Sequence, residues 1–202
     1  GGMKGWFAGL VLGLLGLLAG ASSAHWLVAQ DRSGAFGDGV SVAGWIANPL
    51  VGAPAADPWT RSVVAWKGLL ALNKSEAIYF SRDRDAAGAA FDEGCVYEMA
   101  VPPMVQARWW SVTLYAADDY LAVNGDGAAS VFGGEAARGP DGAAIIRIAP
   151  DRAEAQNWIS TREAGAFNLT FRLYQPTAVL QADLASADLP QVKRIACPGG
   201  AS

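Results

Sequence analysis

The chain begins with an apolar segment that has to be buried, either in a protein core or in a lipid bilayer. No Asp, Glu, Lys or Arg occurs between Trp6 and Val28. A helix of this length spans about 34 Å, and the hydrocarbon core of a bilayer is about 30 Å thick. Trp6 and Trp26 stand near the two ends, where indole rings favour the membrane interface. The sequence therefore predicts a transmembrane anchor over residues 1–28.

The same residues are also typical of a cleavable signal peptide, with Lys4 as its basic region and a Ser-Ser-Ala cleavage site at residues 22–24. The glycines favour a retained anchor, because they recur at steps of 4, 4, 3 and 4 and so share one side of a helix. They are Gly5, Gly9, Gly13, Gly16 and Gly20. Glycines let a second helix backbone approach closely. We therefore expect other inner-membrane proteins to pack on this glycine stripe within the lipid bilayer.

The residue types of the remaining chain restrict its chemistry. Of 202 residues, 15 are Lys or Arg and 19 are Asp or Glu, and the basic residues do not cluster. Nucleic acid is therefore not an expected partner. The single histidine, His25, lies in the apolar segment. Because this chain alone cannot assemble a Ser–His–Asp triad or an imidazole-ligated metal downstream, we predict no catalytic residue, no metal site and no cofactor.

Residues 29–56 are rich in Gly, Ala, Ser and Pro and are interpreted as a tether, within which residues 40–46 could form an edge strand. A helix is predicted next, with Asp57 as its N-cap and Pro58 at the first helical position. Apolar residues at positions 59, 63, 66 and 70 give this helix one apolar face through about residue 72. It opens a folded domain that is predicted to cover residues 57–202.

Downstream of this helix the apolar pattern has a period of two, which indicates β-strands. The clearest case is residues 108–115, where the large apolar side chains at positions 110, 112 and 114 share one face. The predicted strands are residues 77–81, 95–101, 108–115, 144–149 and 167–174, followed by a helix over residues 177–187. Short alternating strands between Gly and Asp turns indicate a mainly β fold, an antiparallel sheet or sandwich rather than βαβ units.

Four blocks of the sequence together resemble a known family. They are DPWTRSVVAWKGLLALNKSEAIYF (57–80), C-x-Y (95–97), ARWWSVTLYAADDYLAVN (107–124) and FNLTFRLYQP (167–176). In this order they are similar to the domain-of-unknown-function 1214 family, whose short members are membrane-anchored bacterial proteins. The resemblance implies a jelly-roll-like β-sandwich with flanking helices, and it implies no activity. The chain departs from the family after Asn124, where the stretch is short and rich in Gly and Ala.

The chain has two cysteines, Cys95 and Cys197. A domain that follows a membrane anchor or an export signal faces an oxidising compartment, in which disulfides persist. We therefore predict a disulfide that ties the C-terminal tail to the sheet, with a pair of buried thiols as the alternative. A catalytic dithiol is not expected, because the spacing is not C-x-x-C.

A group of polar and aromatic residues forms a candidate surface for a ligand or a partner. Its members are Arg108, Trp109, Tyr115, Asp118, Asn124 and Trp158. Aromatic rings beside acids and amides suit a sugar-type ligand, and Trp is enriched at the energetic centres of protein interfaces. Paired carboxylates could also hydrolyse a glycoside, but Asp118 and Asp119 are adjacent and would point to opposite faces of a strand.

These observations favour a non-enzymatic accessory subunit of an inner-membrane complex, with photosynthetic or respiratory assemblies as the expected hosts. One helix would cross the membrane with its N-terminus in the cytoplasm, and the β-sandwich would lie in the periplasm. The second hypothesis is a membrane-tethered module that binds envelope glycans or another small ligand. A carboxylate-based hydrolase is the weakest of the three.

Overall fold

The first element of the protein is a long apolar helix. A computed structural model describes residues 2–30, 39–66 and 71–198, and its helix α1 covers Gly2–Gln30. Within α1, Gly5–Leu27 is long and apolar enough to cross a membrane, which is also true of a signal sequence. The large apolar side chains of this span are exposed, up to 72% for Leu17. The described part of the protein therefore buries none of this apolar span.

Residues 40–47 form a hairpin that belongs to the folded domain. Strands β1 (Val40–Val42) and β2 (Trp45–Ala47) pair antiparallel across Ala43 and Gly44. Both turn residues have positive φ, 52° and 84°, as a two-residue type I′ turn requires. The Trp45 side chain is fully buried, and its Nε1–H donates to the backbone oxygen of Pro190 at 2.7 Å. The edge strand predicted over residues 40–46 is thus a hairpin, and the tether interpretation is wrong for it.

Helix α2 covers Pro58–Trp66 and begins as the sequence predicts. The Asp57 carboxylate accepts hydrogen bonds from the backbone N–H groups of Trp59 (2.8 Å) and Thr60 (3.1 Å). The Thr60 hydroxyl also donates to this carboxylate, and these bonds lower the pKa of Asp57. Residues 67–70 of the predicted helix lie outside the described residues. The extension to residue 72 is wrong at its end, since residues 71 and 72 are not helical.

Within residues 71–198 the structure contains eight more strands and two short helical segments. They are β3 (Ala77–Arg82), β4 (Val96–Val101), β5 (Ala107–Ala116), β6 (Ser130–Phe132), β7 (Ala144–Ala149), β8 (Asn157–Ser160), β9 (Phe167–Pro176), α3 (Ala178–Ala182), a 3₁₀ turn (Leu184–Ser186) and β10 (Val192–Ala196). One sheet has the strand order β1-β2-β3-β9-β5-β6, and the other has the order β10-β4-β7-β8. The predicted mainly β, largely antiparallel fold is confirmed, and the jelly-roll connectivity stays a prediction.

The two sheets share one hydrophobic core, to which the strands of both sheets contribute their large apolar side chains. In the long strand β5, Trp110, Val112 and Leu114 are buried in the same apolar cluster as Phe171 of β9. The four-stranded sheet adds its own large apolar side chains to this cluster. They are Tyr97, Met99, Val101, Ile146, Ile148, Ile159 and Val192. Burial of apolar surface is the dominant stabilising term of such a fold, and this core supplies it.

Strand β8 is the exception to the antiparallel pairing. It runs parallel to β7, after a connection of residues 150–156. The buried Asn157 carboxamide anchors it by donating to the carbonyl oxygens of Ala137 (2.8 Å) and Ile145 (2.9 Å) and accepting from the Ala137 N–H (2.8 Å). A strand of four residues with polar ends, Asn-Trp-Ile-Ser, has no usable periodicity, so the sequence pattern does not predict it.

The predicted disulfide is present. Cys95 precedes β4 and is buried, and Cys197 follows β10 at the edge of the same sheet. The bridge closes a loop with a sequence separation of 102 residues and so joins the C-terminal segment to the start of β4. A disulfide is typical of a domain that folds in an oxidising compartment.

Candidate functional site

The outer face of the six-stranded sheet carries polar and aromatic side chains. It lies opposite the core, since Trp110, Val112 and Leu114 point inward and the residues between them alternate outward. Trp109 and Tyr115, both in the surface predicted from the sequence, point to this outer face. Ser111 and Thr113 also face outward and are nevertheless buried, which shows that larger side chains cover them.

Arg172 lies at the centre of this outer face. The register pairs it with Tyr79 of β3 on one side and Ser111 of β5 on the other. Its Nη1 donates to Thr113 Oγ1 at 3.1 Å, and its Nη2 donates to the Tyr115 hydroxyl at 2.6 Å. The guanidinium carbon is 5.8 Å from the Tyr79 ring centroid and 5.4 Å from that of Tyr115. The guanidinium therefore lies between two aromatic rings and two hydroxyl groups.

A row of hydroxyl side chains crosses the sheet beside Arg172. Ser81, Thr170, Thr113 and Ser130 occupy consecutive positions on β3, β9, β5 and β6. Ser130 Oγ donates to Thr113 Oγ1 at 2.9 Å, and the Ser81 and Thr170 oxygens are 3.4 Å apart. The bond from Ser130 holds Thr113 in place beside the guanidinium. We call Tyr79, Thr113, Tyr115, Ser130 and Arg172 the Arg172 site.

Three aromatic side chains cover the part of the outer face nearest the start of β5. Trp109 stacks on Phe132 with ring centroids 5.8 Å apart and an interplanar angle of 3°, and it meets Tyr174 at 4.9 Å. Trp109 and Phe132 are 40% and 38% exposed. This aromatic cluster gives the outer face a solvent-exposed apolar surface, which a ligand or partner could cover.

The other residues of the predicted surface lie apart from the Arg172 site. Arg108 donates to the Gln175 side chain at 3.0 Å, and the Asp118 carboxylate accepts from the Tyr120 N–H at 3.1 Å. The Asn124 carboxamide donates to the Arg162 carbonyl at 2.7 Å, in the turn after β5. Trp158 belongs to β8 of the other sheet and donates its Nε1–H to the Ala149 carbonyl at 2.9 Å. The fold thus brings Trp109 and Tyr115 to one face and leaves Trp158 in the second sheet.

The glycine stripe of α1 is open along its length. A Cβ atom added at any of its five glycines would meet no other atom within 4 Å. Gly5, Gly9 and Gly13 line a shallow groove on the helix together with the side chains of larger neighbours. The described residues therefore leave room for a second helix to approach this side.

The Arg172 site consists of groups that donate hydrogen bonds. They are a guanidinium, aliphatic hydroxyls and phenolic hydroxyls. Across residues 2–30, 39–66 and 71–198 the structure brings together no group of three or more His, Cys, Asp or Glu side chains that could hold a metal ion.

The sequence does not identify Arg172 or Tyr79 as site residues, although the alternation of strand β9 places residue 172 on the outer face. To find the site one needs the strand register, because β9 lies between β3 and β5, and these strands are remote from it in sequence. One signal was available. Arg172 is the single charged residue in the ten-residue strand FNLTFRLYQP, where a charge needs a partner or a ligand.

Comparison with known proteins places this chain in a family. The model of a family of proteins of unknown function, DUF1214, matches residues 76–178, just over half of the chain. This chain belongs to the DUF1214 family. The match covers β3 to β9, so both sides of the Arg172 site lie within the DUF1214 domain. The resemblance seen in the sequence blocks is thereby confirmed.

One of two similar solved structures, the first below, supports the fold of this DUF1214 domain. A Vibrio parahaemolyticus protein is similar with a TM-score of 0.57 and 22% identity, over 70% of this chain and 36% of that one. An uncharacterized protein from Burkholderia cenocepacia is similar with a TM-score of 0.40 and 14% identity, over 59% of this chain and 29% of that one. This chain therefore spans a minor part of both proteins. No curated protein matches the chain.

Proposed function

We propose that this DUF1214 protein is a non-catalytic accessory subunit of an inner-membrane complex. A single helix anchors it, with the N-terminus in the cytoplasm and the β domain in the periplasm. The observation that carries the proposal is α1, whose apolar side chains are exposed and whose glycine stripe is open. An apolar helix of this length is stable when lipid surrounds it, and its glycines admit a neighbouring helix.

Two further observations support this arrangement. The Cys95–Cys197 disulfide fits a domain in the oxidising periplasm rather than in the reducing cytoplasm. The single charge near the start of α1 is Lys4, which fits the cytoplasmic side by the positive-inside rule. The groups of the Arg172 site favour a binding role over catalysis.

Mild detergent extraction from native membranes, followed by sizing and mass spectrometry of co-migrating proteins, tests the proposal directly. We expect a stoichiometric assembly far larger than the 21.0 kDa chain, and peptides from residues 6–28 in the membrane fraction. A lone species in detergent would contradict the subunit role. A mature protein that begins after residue 24 would identify the N-terminal segment as a signal peptide.

Filling the glycine stripe is expected to release the partner. In Gly9→Leu with Gly13→Leu, two large side chains would occupy the groove and keep a neighbouring backbone away. We expect the amount of co-purified partner to fall about tenfold, which corresponds to about 1.4 kcal/mol of helix association. Quantitative mass spectrometry of the extracted assembly measures this ratio.

A matched control separates helix packing from added bulk. Ala8→Leu with Ala19→Leu adds the same side chains outside the stripe and is expected to leave co-purification unchanged. Equal partner recovery from the glycine variant and the control would contradict a role for the stripe, provided that both proteins reach the membrane in equal amounts.

The aromatic cluster supports a second candidate function, a membrane-tethered binding module. The rings of Trp109 and Phe132 lie parallel and are exposed to solvent, and an exposed aromatic surface of this kind can receive a ligand or a partner. A glycan array with the detergent-solubilised protein and a Trp109→Ala variant tests this function. Binding that Trp109→Ala removes would support it, and an array without signal would contradict glycan recognition.

A further inference from the structure

We propose that the Arg172 site binds the carboxylate group of a small molecule. The site lies within the DUF1214 domain on the outer face of the six-stranded sheet, and the inference is independent of membrane attachment and of any partner in the membrane. It rests on the charge of Arg172, on the donors around it and on the two tyrosine rings beside it.

Arg172 carries a positive charge that no described acid neutralises. Four other arginines lie within 4.0 Å of a carboxylate: Arg84, Arg147, Arg162 and Arg194. Within residues 2–30, 39–66 and 71–198, no carboxylate lies that close to Arg172, and its polar side-chain partners are the hydroxyls of Thr113 and Tyr115. Hydroxyls supply no negative charge. A partly buried guanidinium without a counter-ion attracts an anion.

The site also has more hydrogen-bond donors than acceptors. A guanidinium has five N–H groups, and two of those of Arg172 are used in the contacts with Thr113 and Tyr115. Both hydroxyl oxygens accept from Arg172, so each keeps its own proton for another acceptor. The Thr113 oxygen also accepts a hydrogen bond from Ser130, so Thr113 can interact with a ligand chiefly by donating its hydroxyl proton. Among the described residues, no contact uses the remaining guanidinium N–H groups or these two hydroxyl protons, so an acceptor oxygen of a ligand can bond to them.

The geometry favours a carboxylate over a more highly charged anion. One guanidinium matches one carboxylate in charge, and its planar fork matches the two carboxylate oxygens. The chain has a net charge of −4, and Asp119 lies 3.4 Å from the carboxamide of Asn168, which pairs with Tyr115 in the register of β9 and β5. This surrounding negative charge disfavours a phosphate dianion. The Tyr79 and Tyr115 rings beside the guanidinium offer apolar faces to the body of the ligand.

Calorimetric titration of the full chain in detergent, at constant ionic strength, tests the proposal with defined probes. The carboxylates are benzoate and glucuronate, their neutral counterparts are benzamide and glucose, and inorganic phosphate is the competing anion. We expect saturable binding of at least one carboxylate with a dissociation constant of about 1 mM, and at least about tenfold weaker binding of its neutral counterpart. Phosphate is expected to bind more weakly than that carboxylate.

Three variants connect the binding to this site. Arg172→Gln removes the charge and is expected to weaken carboxylate binding at least about tenfold, and Tyr115→Phe, which keeps the ring, by about threefold. Arg138→Gln is the matched control, because Arg138 is exposed and donates to the Gly142 carbonyl, and we expect it to bind like the wild type. Unfolding curves without ligand show whether each variant is folded. If the Arg172→Gln protein does not fold, the Tyr115→Phe protein provides the test.

Several results would overturn the proposal. No saturable binding of either carboxylate up to about 50 mM would exclude a carboxylate site of useful affinity. Equal affinity for a carboxylate and its neutral counterpart would show that the charge is not recognised. Unchanged affinity in the folded Arg172→Gln or Tyr115→Phe protein would locate the binding elsewhere. Phosphate binding tighter than both carboxylates would contradict the assigned ligand class.

Discussion

Removal of the Cys95–Cys197 disulfide is expected to lower the free energy of unfolding of the β domain by about 4–5 kcal/mol. The bridge closes a loop with a sequence separation of 102 residues, so reduction returns much conformational freedom to the unfolded chain. For a domain of this size we expect the melting temperature to fall by about 10–15 °C. Thermal unfolding of the full chain in detergent, in Cys95→Ala with Cys197→Ala, measures the effect.

A thiol reductant that breaks the disulfide provides the control for this experiment. It should lower the stability of the wild type by the same amount as the double substitution, and it should leave the stability of the double variant unchanged. Non-reducing mass mapping should recover the Cys95 and Cys197 peptides as one linked species. Recovery of both residues as free thiols from native membranes would contradict the disulfide and, with it, the periplasmic location.

Trp45→Ala is expected to cost about 3–5 kcal/mol of folding free energy, the usual range for truncating a buried Trp. Its ring is fully buried, lies 6.0 Å from that of Phe171 and is 5.8 Å from the Arg82 guanidinium carbon. Truncation would leave a cavity, and the Pro190 carbonyl would lose its hydrogen bond. Denaturant unfolding of the full chain in detergent, followed by near-UV circular dichroism, measures this loss.

Two other tryptophan variants make the Trp45 experiment specific. Trp45→Phe keeps an aromatic ring in the core but loses the N–H donor, and we expect it to cost about 1–3 kcal/mol. Trp66→Ala removes a ring that is 57% exposed and should cost less than about 1 kcal/mol. If Trp45→Ala unfolded like the wild type, residues 40–47 would belong to the tether after all.

Local sequence patterns predict the elements that are defined by neighbouring residues, such as a helix cap or a strand with one apolar face. The N-cap at Asp57 and the strand over residues 108–115 are both predicted correctly, because capping and the alternating direction of side chains are properties of neighbouring residues. The sequence does not predict that the hairpin around Trp45 packs into the domain, since its strands are three residues long and are stabilised by contacts with β3 and Pro190. Such short strands carry no periodicity of their own.

Sequence patterns alone predict the apolar N-terminal helix, the alternation that turns residues 109, 115 and 172 outward, the disulfide and the family resemblance. The pairing of β9 with both β3 and β5, which places Arg172 between Tyr79 and Tyr115, is found in the folded domain and not in any sequence pattern. The difference lies in the range of the interactions. Side-chain alternation and capping act within a few residues, whereas strand register depends on packing and hydrogen bonds between segments about 50 to 100 residues apart.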